Sequence, residues 1–399
     1  MATTVFLNLP EHGHMNATWP VVAELVRRGE RVVYFGTEPY RRAIEATGAT
    51  YASYGDPAAF DPPAHTGGLY SVMAYLMTLA EGVLPGVLDR LEAERPDYLL
   101  IDSMCVWGHL AQQVLHLPAA TLASVFVPHP DVITVDEMLT RAYGRAPKPV
   151  VLAGIDGLNT YIEVSRRIDA RHRTLSPNIV EFFAGRQRLN VLFTSRMFHL
   201  EGDRYGDDYL FAGPSLPRVD ARVAEPDSRP VVAVSLGTIF NDRPDFFRAC
   251  LEACHERPWR MVIAAGSRVD RSALGPIPAN AEVHERVDQI DLLRRASVFI
   301  THGGMNSVSE ALWYGVPLVV FPQHGDQHLV AGRVAALGAG IVMQPSDATP
   351  ERIAASIDTA LRDPRFATGA RAVSASFHAT GGPARAADAI VSPAWRMER

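Results

Sequence analysis

The stretch Ala296-Ser297-Val298-Phe299-Ile300-Thr301-His302-Gly303-Gly304-Met305-Asn306-Ser307 reads as a short apolar strand, a bare Gly-Gly turn and the start of a helix. From Met305 the apolar residues Val308, Ala311, Leu312 and Gly315 fall on one helical face, which puts Asn306 and Ser307 in the first turn. First-turn amides have no partner inside their own helix, and the macrodipole adds partial positive charge, so this corner suits a phosphate or diphosphate. Gly303 and Gly304 let such a guest approach the backbone, and His302, Asn306 and Ser307 add donors. Glu310 lies one turn further on, where it can accept from a sugar hydroxyl. The run Pro322-Gln323-His324-Gly325-Asp326-Gln327 follows the next strand, and its adjacent carboxylate and amide suit the hydroxyl pattern of a hexose.

Working outward, the same strand-turn-helix unit recurs along the chain. Strands are expected at Val5–Leu9, Arg31–Phe35, Tyr98–Ile101, Ala120–Phe126, Val231–Ser235, Arg260–Ala264, Val298–Ile300 and Leu318–Phe321. Helices are expected at Trp19–Arg28 and Val83–Glu94. Strands alternating with helices signal parallel, doubly wound α/β sheets. At 399 residues the chain exceeds one ordinary domain. Pro217–Pro230 is proline-rich, charged and aperiodic, so it reads as a linker. The expected division is a first domain over 1–216, the linker over 217–230, a second domain over 231–383, and a last helical segment over 384–399 whose Trp395 needs a packing surface.

Composition narrows the class. The chain is 47% apolar and 21% charged with a net charge of −6, and its arginines are interleaved with acids, which disfavours nucleic acid as a partner. No basic leader and no run of about 18 apolar residues stands out, so a cytoplasmic protein without a membrane span is expected. Cys105, Cys250 and Cys254 form no disulfide framework and read as core thiols.

In open α/β sheets ligands bind beyond the carboxyl ends of the strands, so function is sought there. After the first strand comes Pro10-Glu11-His12-Gly13-His14-Met15-Asn16, which lacks the G-x-G-x-x-G of a dinucleotide site. A neutral imidazole can take a proton from an attacking hydroxyl, and it does so best with a carboxylate on its other nitrogen. His14 as base with Asp102 as partner is the expected pairing. His12 and His14 also make an H-x-H zinc pair, without a third ligand at a familiar spacing. Ser235-Leu236-Gly237-Thr238 offers hydroxyls and amides to an anion, or a hydrolase nucleophile at Ser235, though Ala233 stands at the first glycine position of G-x-S-x-G. No two aspartates are separated by a single residue, so the D-x-D pattern that holds a metal on nucleotide sugars is absent and no metal is expected.

At these residues the chain resembles the inverting, metal-independent glycosyltransferases of family 1 with the GT-B fold, in the bacterial macrolide and flavonoid branch. The resemblance spans Glu11–Asn16, Tyr34–Thr37, Phe211–Ser215, Ser235–Thr238, Thr301–Ser307 and Gly325–Gln327. It implies two doubly wound Rossmann-like domains facing a cleft, with His14 the general base and Asp102 its support. It further implies that His302, Asn306 and Ser307 hold the diphosphate, Glu310 the ribose, and Asp326 and Gln327 the sugar. Ser235, Gly237, Thr238, Arg286, Val287, Gln289 and Gly304 complete the expected donor site. Many relatives carry an aromatic residue where Arg286 stands and a proline at Asp288, so uracil and thymine both stay open, and a guanidinium can also stack on a base.

The implied donor is UDP-glucose or a TDP-sugar as co-substrate, with no cofactor. The acceptor is an apolar small molecule such as a polyketide, macrolide or flavonoid. Phe60, Tyr70, Met73, Tyr75, Met77, Trp107, Phe126 and Met138 are the acceptor-pocket candidates, with core positions as the plain alternative. The implied C-terminal helix crosses back onto the N-terminal domain, and a monomer or homodimer is expected. Rival readings are a nucleotide-sugar epimerase of similar fold and a non-catalytic partner of another transferase.

Overall fold

In this computed structural model the described residues are 2–61, 69–129, 131–134, 137–138, 140–141, 155–216, 229–237, 241–323 and 325–397. The chain divides into two units. One comprises Met1–Phe193, Asp203–Ser215 and Gly381–Arg399, and the other Thr194–Gly202 and Leu216–Thr380.

The first unit is built on runs of aliphatic and aromatic residues that are buried on both faces, as parallel strands between helices require. Its strands are β1 (Thr3–Leu7), β2 (Arg31–Gly36), β3 (Thr50–Ser53), β4 (Tyr98–Asp102), β5 (Ala119–Ala123), β6 (Leu189–Leu192) and β7 (Tyr209–Phe211). They form one all-parallel sheet in the order β3-β2-β1-β4-β5-β6-β7. Along β1, Val5 and Leu7 enter one core with Met73, Met77, Leu84 and Trp107, while Phe6 enters the other with Val21, Val22 and Leu25. The first strand ends at Leu7 rather than at the expected Leu9, because Asn8 turns inward: its Nδ2 donates to the Tyr34 hydroxyl at 2.5 Å and its N–H to the Tyr54 hydroxyl at 3.0 Å. The strand expected over 120–126 is β5, which stops pairing at Ala123 opposite Leu192.

The helix expected from Val83 begins at Leu69 and runs to Glu94, straight through Gly82, Pro85 and Gly86. Met73, Met77, Ala80, Leu84, Val87 and Leu91 recur every three or four residues and are all buried in the first unit's core. This helix corrects the reading that no long apolar run exists, since Tyr70–Glu94 is long and apolar enough to cross a membrane by length and composition. Here its apolar stripe is buried in the first unit's core.

The second unit holds β8 (Val231–Ser235), β9 (Arg260–Ala264), β10 (Ala281–His284), β11 (Val298–Thr301), β12 (Leu318–Val320) and β13 (Gly340–Val342). They too are all parallel, in the order β10-β9-β8-β11-β12-β13. The core on one side of this sheet gathers Val232, Val234, Ile263, Ile300 and Val319 with Phe246, Phe247, Cys250 and Cys254 of the Pro244–Cys254 helix and Ile353 and Ile357 of the Pro350–Arg362 helix. All three cysteines are buried and unpaired.

One segment inside the expected 1–216 domain groups with the other unit. Residues 194–202 belong to the second unit: Ser195 and Ser376 share a hydrogen bond at 2.8 Å, Arg333 donates to the Met197 and Phe198 carbonyls at 2.5 and 3.2 Å, and Phe198 packs edge-on to Phe377 at 5.6 Å. The chain after Gly381 belongs to the first unit, where Ala386, Ala387 and Ile390 of the Gly382–Val391 helix pack on Val21, Val22 and Leu25, and Arg28 pairs with Asp388 at 2.6 Å. Of the expected linker, residues 217–228 lie outside the described residues.

Candidate active site

Strand order reverses in each sheet at one place, between β1 and β4 in the first unit and between β8 and β11 in the second. At such a switch point the flanking connections leave in opposite directions, which opens a crevice at the carboxyl ends.

In the first unit, β1 delivers the loop that ends in the short His12–Met15 helix, and β4 ends on Asp102. The loop is braced from beneath. Tyr34 receives the Asn8 amide and shares a hydrogen bond with Thr18 at 2.7 Å, and Thr18 in turn donates to the Met15 carbonyl at 2.8 Å. Burial pushes the Tyr34 hydroxyl far up, so it stays a neutral hydrogen-bonding group. Above this brace the His14 Nδ1 stands 2.8 Å from the Asp102 Oδ2, with His14 16% and Asp102 1% exposed. The other carboxylate oxygen, Oδ1, accepts from the Met104 N–H at 2.9 Å. An ionised carboxylate only accepts, so Nδ1 carries the proton and the basic lone pair is on Nε2. A buried carboxylate in that position also stabilises the imidazolium that a proton transfer would create.

Acidic and phenolic groups surround this corner. Burial raises the Glu11 carboxyl, with His14 opposing and Asp61 adding to the shift. The Tyr40 and Tyr75 hydroxyls are pushed up to about 12 by burial, to which Glu11 contributes. Of the eight acceptor-pocket candidates, Phe60, Met73, Met77 and Trp107 are core residues, and Phe126 is also buried. Tyr70 and Tyr75 are half-buried against that core and Met138 is half-buried, leaving Tyr75 as the aromatic candidate tied electrostatically to the His14 corner.

In the second unit the β8/β11 register pairs Thr301 with Ser235, so the two strand-end loops start side by side. The His302 imidazole then sits between two glycines. A Cβ on Gly237 or on Gly304 would run into the ring. Burial lowers the His302 pKa to about 4, against a backbone hydrogen bond with Ser235 that works the other way, so the ring is neutral near pH 7. Gly303 has φ +88°, and a Cβ there would stand 2.8 Å from Val320 Cγ1 and 3.2 Å from the Gln327 carbonyl oxygen. Gly304 is the N-cap of the Met305–Trp313 helix and supplies no capping side chain, which leaves the helix entrance open to an external acceptor.

One turn along, Gln289 Nε2 donates to Glu310 Oε2 at 2.5 Å and to Ser307 Oγ at 3.2 Å. The Glu310 carboxyl is pushed up to about 7 by burial, with Gln289 opposing and Asp288 adding. Asp288, the residue that stands in place of a proline, caps the Gln289–Arg295 helix by accepting from the Asp291 N–H at 3.0 Å. Gln327 is buried and its Oε1 accepts from the Gln323 N–H at 2.8 Å, while Asp326 is exposed in the first turn of the Asp326–Ala336 helix.

The expected donor residues thus gather in two groups. Ser235, Gly237, His302, Gly304 and Gln327 adjoin the Gly303 turn, and Gln289, Ser307 and Glu310 are linked by hydrogen bonds, with Asn306 in the same first turn. Arg286 is exposed and Val287 half-buried in the segment that leads into Asp288. Thr238 lies outside the described residues. Ser235 is 8% exposed, and its Oγ accepts from the Gly237 N–H at 3.3 Å, unlike the presented Oγ of a nucleophile elbow. Among the described residues no group of three or more His, Cys, Asp or Glu side chains is placed to hold a metal ion.

Sequence reasoning missed several supporting residues. Asn241 is buried and donates to the Gly237 carbonyl at 2.9 Å, and Asn8, Thr18 and Tyr34 form the brace under His14. Asn8, Thr18 and Asn241 lie in no motif, Tyr34 lies in the Tyr34–Thr37 stretch without a role read from it, and the available signal was a polar residue interrupting an apolar run.

The chain is similar to known proteins over its whole length. Residues 259–392 match the family model described as erythromycin biosynthesis protein CIII-like, C-terminal domain. The chain is 31% identical over 397 residues to the NDP-glycosyltransferase YjiC of Bacillus licheniformis, covering 96% of this chain and 95% of that one. It is 29% identical to the demethyllactenocin mycarosyltransferase of Streptomyces fradiae over 99% of this chain and 87% of that protein. The crystal structure of CalG4, the calicheamicin glycosyltransferase, superposes with a TM-score of 0.83 at 27% identity, covering 99% of this chain and 98% of that chain. With two all-parallel Rossmann-like sheets and full-length similarity of this kind, the chain belongs to the bacterial family 1 glycosyltransferases with the GT-B fold.

Proposed function

We propose that this glycosyltransferase inverts the sugar it moves, with His14 as the general base, and that it takes the sugar from a uridine or thymidine diphosphate donor to a hydroxyl of an apolar small molecule. The observation that carries this reading is the 2.8 Å contact between His14 Nδ1 and the buried Asp102 carboxylate at the switch point of the first sheet. It supports a neutral imidazole whose Nε2 removes the acceptor proton as the acceptor oxygen bonds to the anomeric carbon. The bond from that carbon to the diphosphate oxygen breaks at the same time, on the opposite face, so the configuration inverts.

The departing diphosphate gains negative charge in the transition state, where fixed donors count most. The uncapped helix entrance at Gly304, with Asn306 and Ser307 in its first turn, suits that role, and His302, held neutral, adds a donor without adding charge. Removing one such donor should cost on the order of 10²- to 10³-fold in rate. Glu310, positioned by Gln289, is assigned to the ribose, and Asp326 and Gln327 to the sugar. The donor diphosphate is met by these groups without a metal. A polyketide, macrolide or flavonoid-like acceptor fits the half-buried Tyr70 and Tyr75, and the mycarosyltransferase relative, named for demethyllactenocin, favours a polyketide-like molecule.

The test is turnover of UDP-glucose and TDP-glucose with a non-acidic alcohol acceptor, with and without EDTA, followed by mass spectrometry and assignment of the anomeric configuration by NMR. An inverted product that is insensitive to EDTA and abolished by His14→Ala is expected. Near-normal turnover by His14→Ala on that acceptor would show that another group is the base. A phenolic acceptor is unsuitable, because it can ionise unaided.

A further inference from the structure

Two hydrogen-bond donors at the carboxyl end of the second sheet are poorly matched by acceptors among the described residues. Arg243 is half-buried, with its guanidinium 5.6 Å from the centre of the Phe321 ring, and it reaches Gln323 Oε1 only at 3.4 Å. No carboxylate among the described residues pairs with it, whereas Arg248, Arg257, Arg260 and Arg295 of the same unit each have an acidic partner. Gln323 must turn its oxygen toward Arg243, because a guanidinium has only donors to offer. That leaves Gln323 Nε2 buried with no acceptor among the described residues. A buried N–H without a partner is costly, so the amide is incomplete by itself.

Both groups adjoin the turn assigned to the donor. The Phe321 N–H donates to the Thr301 carbonyl at 2.7 Å, immediately before His302. The Gln323 N–H donates to Gln327 Oε1 at 2.8 Å, and Gln327 abuts Gly303. On the other side, Asn241 ties the segment that leads into Arg243 to the Gly237 carbonyl at 2.9 Å. A cation and an amide N–H with no acid between them select an oxyanion, to which charge-assisted hydrogen bonds are the strong kind.

We propose that Arg243 and Gln323 form an anion subsite that takes an oxyanion carried by the donor, either its distal phosphate or a carboxylate on its sugar. The inference rests on the donor site assigned above and adds two residues to it. Arg243 lies outside the strand-end motifs, and Gln323 sits in the Pro322–Gln327 run without a role assigned to it above.

The experiment is calorimetric titration of the full chain and of Arg243→Met, Arg243→Lys and Gln323→Leu with UMP, UDP, UDP-glucose and UDP-glucuronate, repeated in the thymidine series for the mono- and diphosphate. Methionine keeps the apolar contact with Phe321 while removing the charge. The ligand-free melting temperature of each variant checks the fold, and Gln323→Leu carries the test if Arg243→Met does not fold. A loss of about 10-fold or more in affinity for UDP and both sugars, with UMP unaffected and partial recovery in Arg243→Lys, assigns the distal phosphate. A loss confined to UDP-glucuronate assigns the sugar carboxylate. Wild-type binding with no loss in Arg243→Met and Gln323→Leu, or an equal loss for all ligands including UMP, overturns the subsite and leaves the donor site standing. A wild-type chain that binds none of these nucleotides removes the donor site and the subsite together.

Discussion

Gly237 leaves open the space that the His302 imidazole fills: a Cβ built on Gly237 would stand 2.6 Å from Cε1 of that ring. Gly237 also has φ +78°, where an L side chain is strained. Gly237→Ala should therefore both destabilise the chain and displace the ring. Gly275 separates the two effects, because it has φ +75° and nothing within 4 Å of the place a methyl would take. Each alanine should cost about 1 kcal/mol or more of stability through backbone strain. Only Gly237→Ala should also weaken nucleoside diphosphate binding, by about 10-fold or more, as read by titration calorimetry. Equal nucleotide affinity in the two variants would mean that the position of His302 does not matter to the donor.

Asp102→Asn tests the pairing with His14 from the other side. The amide is close in size to the carboxylate, but it can present an N–H to Nδ1 and turn the imidazole into the tautomer whose Nε2 already bears a proton. Turnover should fall about 10²- to 10⁴-fold on an alcohol acceptor while donor KM stays near its normal value. Recovery of activity on an acidic phenol would confirm that proton removal is the lost step. A matching rise in donor KM would point to a structural defect instead.

How much of this was legible in the sequence depends on how local the signal was. The apolar strand at Val231–Ser235 with Gly237 just after it, and the strand-turn-helix unit at Val298–Ser307 with its own glycines, are local signals, so the second sheet's centre and the His302 corner could be read directly. Three-residue strands such as β7 and β13 are too short to show any period. The long helix was read only from Val83, just after Gly82, yet its buried stripe from Met73 to Leu91 carries it through that glycine and back to Leu69. The brace of Asn8 on Tyr34, the hold of Asn241 on Gly237 and the pairing of Arg243 with Gln323 join residues far apart in sequence or outside any motif. Only the fold brings such partners together.

Glu310 makes the stability of the chain depend on pH in a defined direction. Its carboxyl is raised from 4.5 to about 7, chiefly by burial, so between those values the unfolded chain has released the proton while the folded chain keeps it. This group therefore stabilises the fold fully below pH 4.5 and loses that contribution as pH rises through about 7. At about 1.4 kcal/mol per pKa unit, the effect is on the order of 3 kcal/mol. Urea unfolding of Glu310→Gln and the unsubstituted chain at pH 4.5 and pH 8 should show the variant gaining about that much relative stability at the higher pH. His302 works oppositely, lowered from 6.5 to about 4, and its contribution is lost as pH falls through that window. The difference between the two chains cancels it. Parallel stability curves would mean that Glu310 titrates normally in the fold.

Trp395 tests whether the end of the chain is a structural part of the first unit. Its ring meets Tyr98 edge-on at 5.7 Å, its Nε1 donates to the Ala389 and Ile390 carbonyls at 3.1 Å, and only 8% of the residue is exposed. Arg396 lies over the Tyr98 ring at 3.8 Å, so the residue after Trp395 grips the same aromatic surface. Removing a buried aromatic side chain costs about 3–5 kcal/mol where the surroundings cannot relax, and less near a chain end that can move. Trp395→Ala should thus lower unfolding stability by about 2–4 kcal/mol. Amide exchange should rise along Gly382–Val391, whose Ala386, Ala387 and Ile390 would lose the anchor that holds them on Val21, Val22 and Leu25. Nucleotide affinity should not change, because every residue assigned to the donor belongs to the second unit. Rapid exchange in the unsubstituted chain over the same residues would show that this helix is not anchored there in solution.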